Sequence, residues 1–321
     1  MNKQTKTRVA IAGLGGIARK VYLPLLTAHE GVDIIGVMNR SQEPVNSIME
    51  QYRLPKGTTD VKEMLAWEPE AVFIHAATEA HFDLVMACIE KGIAVYVDKP
   101  LSYDVRQSME MTAFAEAQAV LLAVGFNRRF APHYVAAKAW LEAAGGFSQC
   151  AAIKHRTGYD RRPAEQTVYD DLIHMLDLLL WLGGNDYELL HSKLTTTNEG
   201  YMDASFGSVR LGEAFGSYSM SRQAGADIER LELHGAGRSA EVTNMEQAVF
   251  TEKSKLPQTQ VFGSWDTILE RRGFSGVVNH FLEHIHRPEE CAISAGKVLE
   301  SHMLADELVR IQTSRNRLKE K

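Results

Sequence analysis

Short apolar runs rich in β-branched residues recur through the first part of the chain, at 9–12, 32–38, 71–76, 93–97 and 120–124. Between them lie segments with helical patterning, near 17–29, 42–52, 61–67, 79–91 and 104–118. Strands that are continuously apolar are buried on both faces. Their regular alternation with helices predicts a parallel sheet covered on both sides, the doubly wound Rossmann arrangement. Pro24 falls inside the first helical pattern and predicts a kink or division there, because it lacks an N–H and crowds the preceding turn.

After Gly125 the pattern changes. Helical patterning returns at 132–143, 166–182, 274–286 and 293–313. From about 188 to 252 the chain instead alternates apolar and polar residues in short segments, such as YMDASFGSVR and DIERLELHG, broken by Gly212, Gly225 and Gly235. Alternation of this kind marks antiparallel strands with one buried face. The prediction is a Rossmann domain over 1–124, followed over 125–321 by an α+β domain with a large, mostly antiparallel open sheet and helices on one side. The other face of such a sheet is a natural surface for a second copy, so a homodimer or homotetramer is expected. Residues 253–272 read as a long irregular connection.

The start of the chain narrows the chemistry. In RVAIAGLGGIARK, residues 8–20, a strand runs into Gly13-Leu14-Gly15-Gly16-Ile17-Ala18 and then into a helix. In a dinucleotide-binding turn, Gly13 permits the tight bend, Gly15 lets the backbone approach a pyrophosphate, and the small Ala18 lets helix and strand pack. Gly16 and Ile17 open the helix, whose N–H groups and positive dipole end attract an anion. A glycine-rich turn of some other α/β protein is the alternative. The second strand ends at Asn39, where an NAD-binding chain usually carries an acid for the ribose hydroxyls. Loss of the acid removes repulsion against a 2′-phosphate, and Arg40 and Ser41 offer that phosphate a grip. NADP is therefore the expected cofactor. If Arg40 is only a solvated surface residue, NAD fits as well.

Size and charge exclude other classes. The 321 residues suffice for about two domains. The net charge is −6, and no run of one sign forms the basic face of a nucleic-acid binder. No apolar stretch is long enough to span a bilayer, so no membrane partner is expected. Lys3, Lys6 and Arg8 precede an apolar segment as in a signal peptide, but that segment is short and glycine-broken and serves better as a first strand. Cys88, Cys150 and Cys291 are odd in number and far apart, which points to a reducing, cytoplasmic setting.

Ligands of an open parallel sheet lie beyond the carboxyl ends of its strands. Three tails fall there: Thr78 to His81, Asp98-Lys99-Pro100, and the stretch holding Asn127 and Arg128. Lys99 at such a place can stabilise negative charge on a substrate oxygen, or it can simply pair with Asp98. The helix beginning near 166 carries Asp170, His174 and Asp177 at i, i+4 and i+7 on an otherwise apolar surface. That set fits a general base with its orienter. The alternative is a helix whose first acids favour the dipole and whose histidine is satisfied in the core. His155, on the first strand of the second domain, is a weaker candidate for a substrate contact. His280, His284 and His286 lie close together, but no ligand quartet or His-Glu-x-x-His pattern occurs and no metal is expected.

In this order the glycine loop, the Thr78–His81 turn, the Asp98-Lys99-Pro100 tail and the Asp170–His174–Asp177 helix resemble the Gfo/Idh/MocA oxidoreductases. These include glucose–fructose oxidoreductase and inositol dehydrogenase. VDKPL, VGFNRRFAP and the DD-x-x-H-x-x-D helix ending in WLGG look particularly like the MviM-type branch. The resemblance covers nearly the whole chain. It implies a Rossmann domain, an α+β domain with a large open sheet, and NAD(P)-dependent oxidation or reduction of sugars, cyclitols or related polyols. It matches Lys99 to the lysine of the family's Glu-Lys-Pro motif, His174 to the catalytic histidine, and Asp170 to the acid four residues before it. Asp98 departs from the pattern, standing where the family has Glu, and its carboxylate is one methylene shorter. A non-catalytic NAD(P)-binding sensor on the same fold is the rival expectation.

Overall fold

The computed structural model describes residues 6–319. The chain divides into two units, residues 6–125 with Val277–Leu299, and residues 126–276 with 300–319.

In the first unit the strands are β1 (Thr7–Ala12), β2 (Val32–Met38), β3 (Gly57–Thr58), β4 (Ala71–Ile74), β5 (Ala94–Val97) and β6 (Leu122–Val124). They form a parallel sheet in the order β3-β2-β1-β4-β5-β6. Consecutive residues such as Val9, Ala10, Ile11 and Ala12 are all fully buried, as expected where helices cover both faces. The chain order reverses between β1 and β4, which makes the end of β1 the switch point where such sheets bind ligands. The two-residue β3 was too short to register as an apolar run.

The first helix is divided, as Pro24 predicts. The Leu23 N–H donates to the Ala18 carbonyl five residues back, a widened turn, and an ordinary helix then runs over Leu23–Ala28. Pro24 lies in the first turn of that second piece, where no N–H is required of it.

The boundary differs from a simple split at 124/125. Residues 277–299, expected in the second domain, pack with the first. Phe281 meets Phe73 and Tyr96 edge-on at 5.2 and 5.5 Å. The Val124 N–H donates to the Ile293 carbonyl at 2.9 Å. The long connection lets the chain return and cover the edge of β6.

The second unit is built on β7 (Gln149–His155), β8 (Tyr187–Thr196), β9 (Met202–Leu211), β10 (Ala214–Ser221), β11 (Ile228–Gly235), β12 (Arg238–Thr243), β13 (Gln247–Glu252) and β14 (Gln258–Val261). Their order is β14-β13-β12-β11-β7-β10-β9-β8, antiparallel except for the β7–β10 pair. Alternate residues face one side. Cys150 and Ala152 of β7, Tyr218 and Met220 of β10, and Leu231 and Leu233 of β11 are buried. Helix Ile173–Gly183 packs on β7 and β10, and helix Pro132–Glu142 on β11, β12 and β13. The other face leaves Phe206 and Phe215 about half exposed. The connection 253–272 is not wholly irregular. It contains β14 and a short helix, Ile268–Arg271, closed by reciprocal capping between Thr267 and Glu270.

Candidate active site

The glycine loop leaves β1 as the sequence predicts, and the structure adds the reason for Gly13. Its φ is +94°, and a Cβ there would lie 2.2 Å from the Ala76 nitrogen. No side chain fits, because the loop rests on the tail of β4. Around Gly15 and Gly16 the opposite holds. A Cβ at either would meet no heavy atom within 4 Å, so the ground over them is open. Ala18 is fully buried, and Ile17 is half-buried beside it. A cavity of about 670 Å³ opens here, lined among others by Gly13, Gly15, Asn39, Arg40 and Ser41.

Asn39 does more than omit an acid. Its Oδ1 accepts the Leu14 N–H at 3.2 Å, and its amide nitrogen donates to Ser41 Oγ at 3.2 Å. The side chain thus ties the end of β2 to the glycine loop. Arg40 and Ser41 are exposed, and Ser41 stands at the N-terminus of helix Gln42–Tyr52 without its side chain capping that helix. Asp60 and Asp83 are acids on the same cavity wall.

Thr78 opens a short helical turn and is half-buried. His81 needs correcting as a cofactor contact. Its ring is buried, with Nδ1 at 2.9 Å from the Pro100 carbonyl and Nε2 at 3.2 Å from the Ala76 carbonyl. It ties the tail of β4 to the tail of β5 and shapes the loop from beneath. Burial pushes its pKa below the ordinary value, against the carbonyl bonds and Asp98, which raise it. Asp98 and Lys99 are half-buried at the end of β5, and the Lys99–Pro100 peptide is cis. The short Asp98 carboxylate accepts the backbone N–H of Lys99 at 3.0 Å.

Sequence reasoning missed an aromatic group behind the loop. Tyr22 and Tyr96 share a hydrogen bond at 2.9 Å between their hydroxyls, and His75 stacks on Tyr22 at 3.8 Å. Burial and the neighbouring His81 push the His75 pKa down to about 3, so its ring is neutral. A single polar residue at the end of an apolar strand gives little warning of such a cluster.

In the second unit several expectations change. Arg128, expected to meet the cofactor, is buried and gripped bidentately by Glu229, at 2.5 and 2.8 Å. Asn127 likewise turns inward and donates to the Arg272 carbonyl at 2.7 Å. Both lie on the short helix Asn127–Phe130, on which Asn127, Arg128 and Arg129 are buried. His155 is corrected by strand alternation. Its Nδ1 accepts the Ser221 N–H at 3.0 Å, while its neighbour Lys154 takes the face on which the helix packs. The buried Cys150 and Ala152 are the signal that could have found this, since period-two alternation puts Lys154 on their side.

The 166–182 helix is three pieces: Ala164–Thr167, a widened turn Val168–Leu172 and helix Ile173–Gly183. The widening is set by the Ile173 N–H, which donates to the Val168 carbonyl five residues back. Such turns are frequent at functional sites. Asp170, Asp171 and His174 lie on or beside it. Each acid meets a different cation. Asp170 pairs with Arg162. Asp171 pairs with Lys154 and, at 2.6 Å, with Arg222. Asp177 accepts from Nε and Nη2 of Arg129, at 3.0 and 2.7 Å, and from the Ser301 hydroxyl at 2.9 Å. Asp177 is therefore an anchor for the helix rather than a third member of a catalytic stripe. His174 is buried, edge-on to Phe126 at 6.4 Å.

These charges have displaced titrations. Burial and then Arg128 push Lys154 down to about 7, against the pull of Asp171. Burial raises Glu229 and Asp171, but ion pairing outweighs it. Arg128 holds Glu229 at about 2, and Lys154 with Arg222 holds Asp171 well below the usual carboxylate range. Among the described residues no group of three or more His, Cys, Asp or Glu is placed to hold a metal ion. His280 Nε2 accepts the Ala292 N–H at 2.8 Å, and His284 Nδ1 donates to the His280 carbonyl at 2.7 Å. Among the described residues no helix is long and apolar enough to cross a membrane.

A parallel sheet with a glycine loop at its switch point, followed by a large mostly antiparallel sheet, defines a class. Residues 7–126 match the profile of the oxidoreductase family with an NAD-binding Rossmann fold, and residues 132–253 match the YceM-like C-terminal domain. The chain belongs to the Gfo/Idh/MocA family and is an oxidoreductase. It is 34% identical over 304 residues to the putative oxidoreductase YceM of Salmonella typhimurium, covering 92% of this chain and 96% of that protein. It is 28% identical over 188 residues to an inositol 2-dehydrogenase/D-chiro-inositol 3-dehydrogenase of Lactiplantibacillus plantarum, covering 56% and 53% of the two chains. The solved structure of the dehydrogenase MviM from Clostridium difficile superposes with a TM-score of 0.88 at 28% identity, over 95% of this chain and 99% of that one.

Proposed function

We propose that this oxidoreductase transfers a hydride between NADP and a secondary alcohol, or its ketone, on a sugar, cyclitol or related polyol. The observation that carries the reading is the open ground over Gly15 and Gly16 beside an exposed Arg40 and Ser41. The first fits the close approach of a pyrophosphate, and the second fits a 2′-phosphate. Asn39 supports the preference, since its Oδ1 is turned to the Leu14 N–H and repels no phosphate. Gly13, Gly16, Ile17, Ala18, Thr78 and Asp98 complete the cofactor site in this reading.

When bound, the nicotinamide supplies the hydride chemistry. The protein's part is to bind, orient and move a proton. In the oxidation direction His174 takes the hydroxyl proton, Asp170 orients His174, and Lys99 stabilises the negative charge on the substrate oxygen. The inositol dehydrogenases among the relatives support a cyclitol-like substrate. The reading places the enzyme in the cytoplasm, as a homodimer or homotetramer joined through the sheet face that carries Phe206 and Phe215.

The test is turnover of a panel of cyclitols, sugars and keto-sugars with NADP and NAD, followed by nicotinamide absorbance. Turnover of one of them, lost in Lys99→Met and His174→Gln, is the expected result. Tight cofactor binding with no turnover of any polyol would instead favour the non-catalytic sensor, for which the shortened Asp98 carboxylate speaks.

A further inference from the structure

We propose that Lys154 is a positioning residue for His174, acting through Asp171; the inference rests on the dehydrogenase reading, in which His174 is the base. Lys154 lies on β7 directly opposite Glu229 of β11, and its side chain is 3% exposed. A lysine is rarely so buried unless it is paired. Its ammonium pairs with one oxygen of Asp171, and Arg222 holds the other at 2.6 Å. Asp171 stands three residues before His174, inside the widened turn that leads into the helix of His174. The pair therefore reaches from the sheet to the widened turn that leads into His174.

The composition of the cluster singles out Lys154. Two acids, the half-buried Asp171 and the buried Glu229, face Arg128 from the short helix, Lys154 on β7, Arg156 just after it, and Arg222 after β10. Three of these four cations are guanidiniums, which do not give up a proton in proteins. Lys154 is the one whose charge can change, and burial with Arg128 brings that change near neutral pH. The helix of His174 carries Asp170, Asp171 and Asp177, and the cations facing it are paired with those acids: Arg162 with Asp170, Lys154 from β7 and Arg222 after β10 with Asp171, and Arg129 with Asp177. His302 packs on the same Phe126 ring. A proton on Lys154 compensates the Asp171 carboxylate three residues before His174 and so disfavours the imidazolium, and His174 stays a proton acceptor. Its loss leaves more of the Asp171 charge uncompensated and favours the imidazolium. The two protonations oppose each other, with solvent as the proton source and sink.

The experiment is an NMR pH titration of the full chain with isotope-labelled histidine, with His174 assigned by the signal missing in H174Q. K154M should raise the His174 midpoint by about half a pH unit or more, D171N should lower it, and K154R should leave it near wild type. A purely structural pair would not give opposite signs. An unchanged midpoint in K154M and D171N, shifts of one sign, or a His174 that titrates in none of the chains would overturn the proposal. NADPH affinity, measured on the same samples, should be unchanged in each folded variant. Should K154M fail to fold, the contrast between D171N and K154R decides. The titration needs no substrate, so it is separate from the dehydrogenase reading, which fails only if no polyol is turned over. Where one is, K154M should lower kcat about tenfold or more with KM within about twofold, and K154R should restore it.

Discussion

The two units hold their polar groups by opposite means. In the first unit the backbone does most of the work. Gly13, Leu14 and Gly15 line the cavity, His81 is tied to two carbonyls, and the buried His75 is neutral. In the second unit the groups are charged and paired, Arg128 with Glu229, Lys154 and Arg222 with Asp171, and Arg129 with Asp177. The difference fits the roles proposed above. An anion is bound well by fixed N–H groups, which need only the right backbone. A proton acceptor needs a tuned local field, which charged side chains supply.

The largest effect expected from breaking this contrast is in the second unit. Glu229→Ala leaves Arg128 buried without its partner, which costs about 3–5 kcal/mol. Denaturant unfolding measures it, and an Arg128→Met/Glu229→Met double variant should recover much of the loss. Next comes Lys99→Met, which should lower kcat by roughly 10²–10³ while NADPH affinity stays within about twofold. Unchanged turnover would remove Lys99 from the chemistry.

A smaller effect separates the units by acidity. His75 is held at about 3, below its ordinary 6.5, so it is neutral in the fold, whereas the unfolded chain takes up a proton. The stability this preserves is full above 6.5 and is lost as the pH falls from 6.5 toward 3. Glu229 is held at about 2 against an ordinary 4.5, so its contribution is lost only between 4.5 and 2. Hydrogen exchange followed against pH should therefore show the first unit loosening at milder acidity than the second. His75→Phe should move that first loosening to lower pH. Simultaneous loosening in wild type would break the comparison. The smallest effect is in cofactor choice. Asn39→Asp should shift the NADPH-to-NADH affinity ratio toward NADH by roughly tenfold, about 1.4 kcal/mol.

What could be read from the sequence follows the same division. The parallel sheet, the glycine loop and the divided first helix were legible because each rests on neighbours in sequence: apolar runs, Gly13 to Ala18, Pro24. The meander between 188 and 252 was legible from alternation. The partners of Arg128, Asn127 and Asp177 were not, since Glu229, Arg272 and Ser301 lie 101, 145 and 124 residues further on. Nor was the return of 277–299 to the first unit, which depends on Phe281 meeting Phe73. On β7 a histidine suggests chemistry, but the alternation set by Cys150 and Ala152 puts Lys154, not His155, on the helix-covered face.

The most direct test of the account is a fluorescence titration of the cofactor-free protein with NADPH and, separately, with NADH. The account predicts that both bind and that NADPH binds about tenfold or more tightly than NADH. Tighter NADH binding would contradict the roles given to Asn39, Arg40 and Ser41, and binding of neither would contradict the dinucleotide site itself.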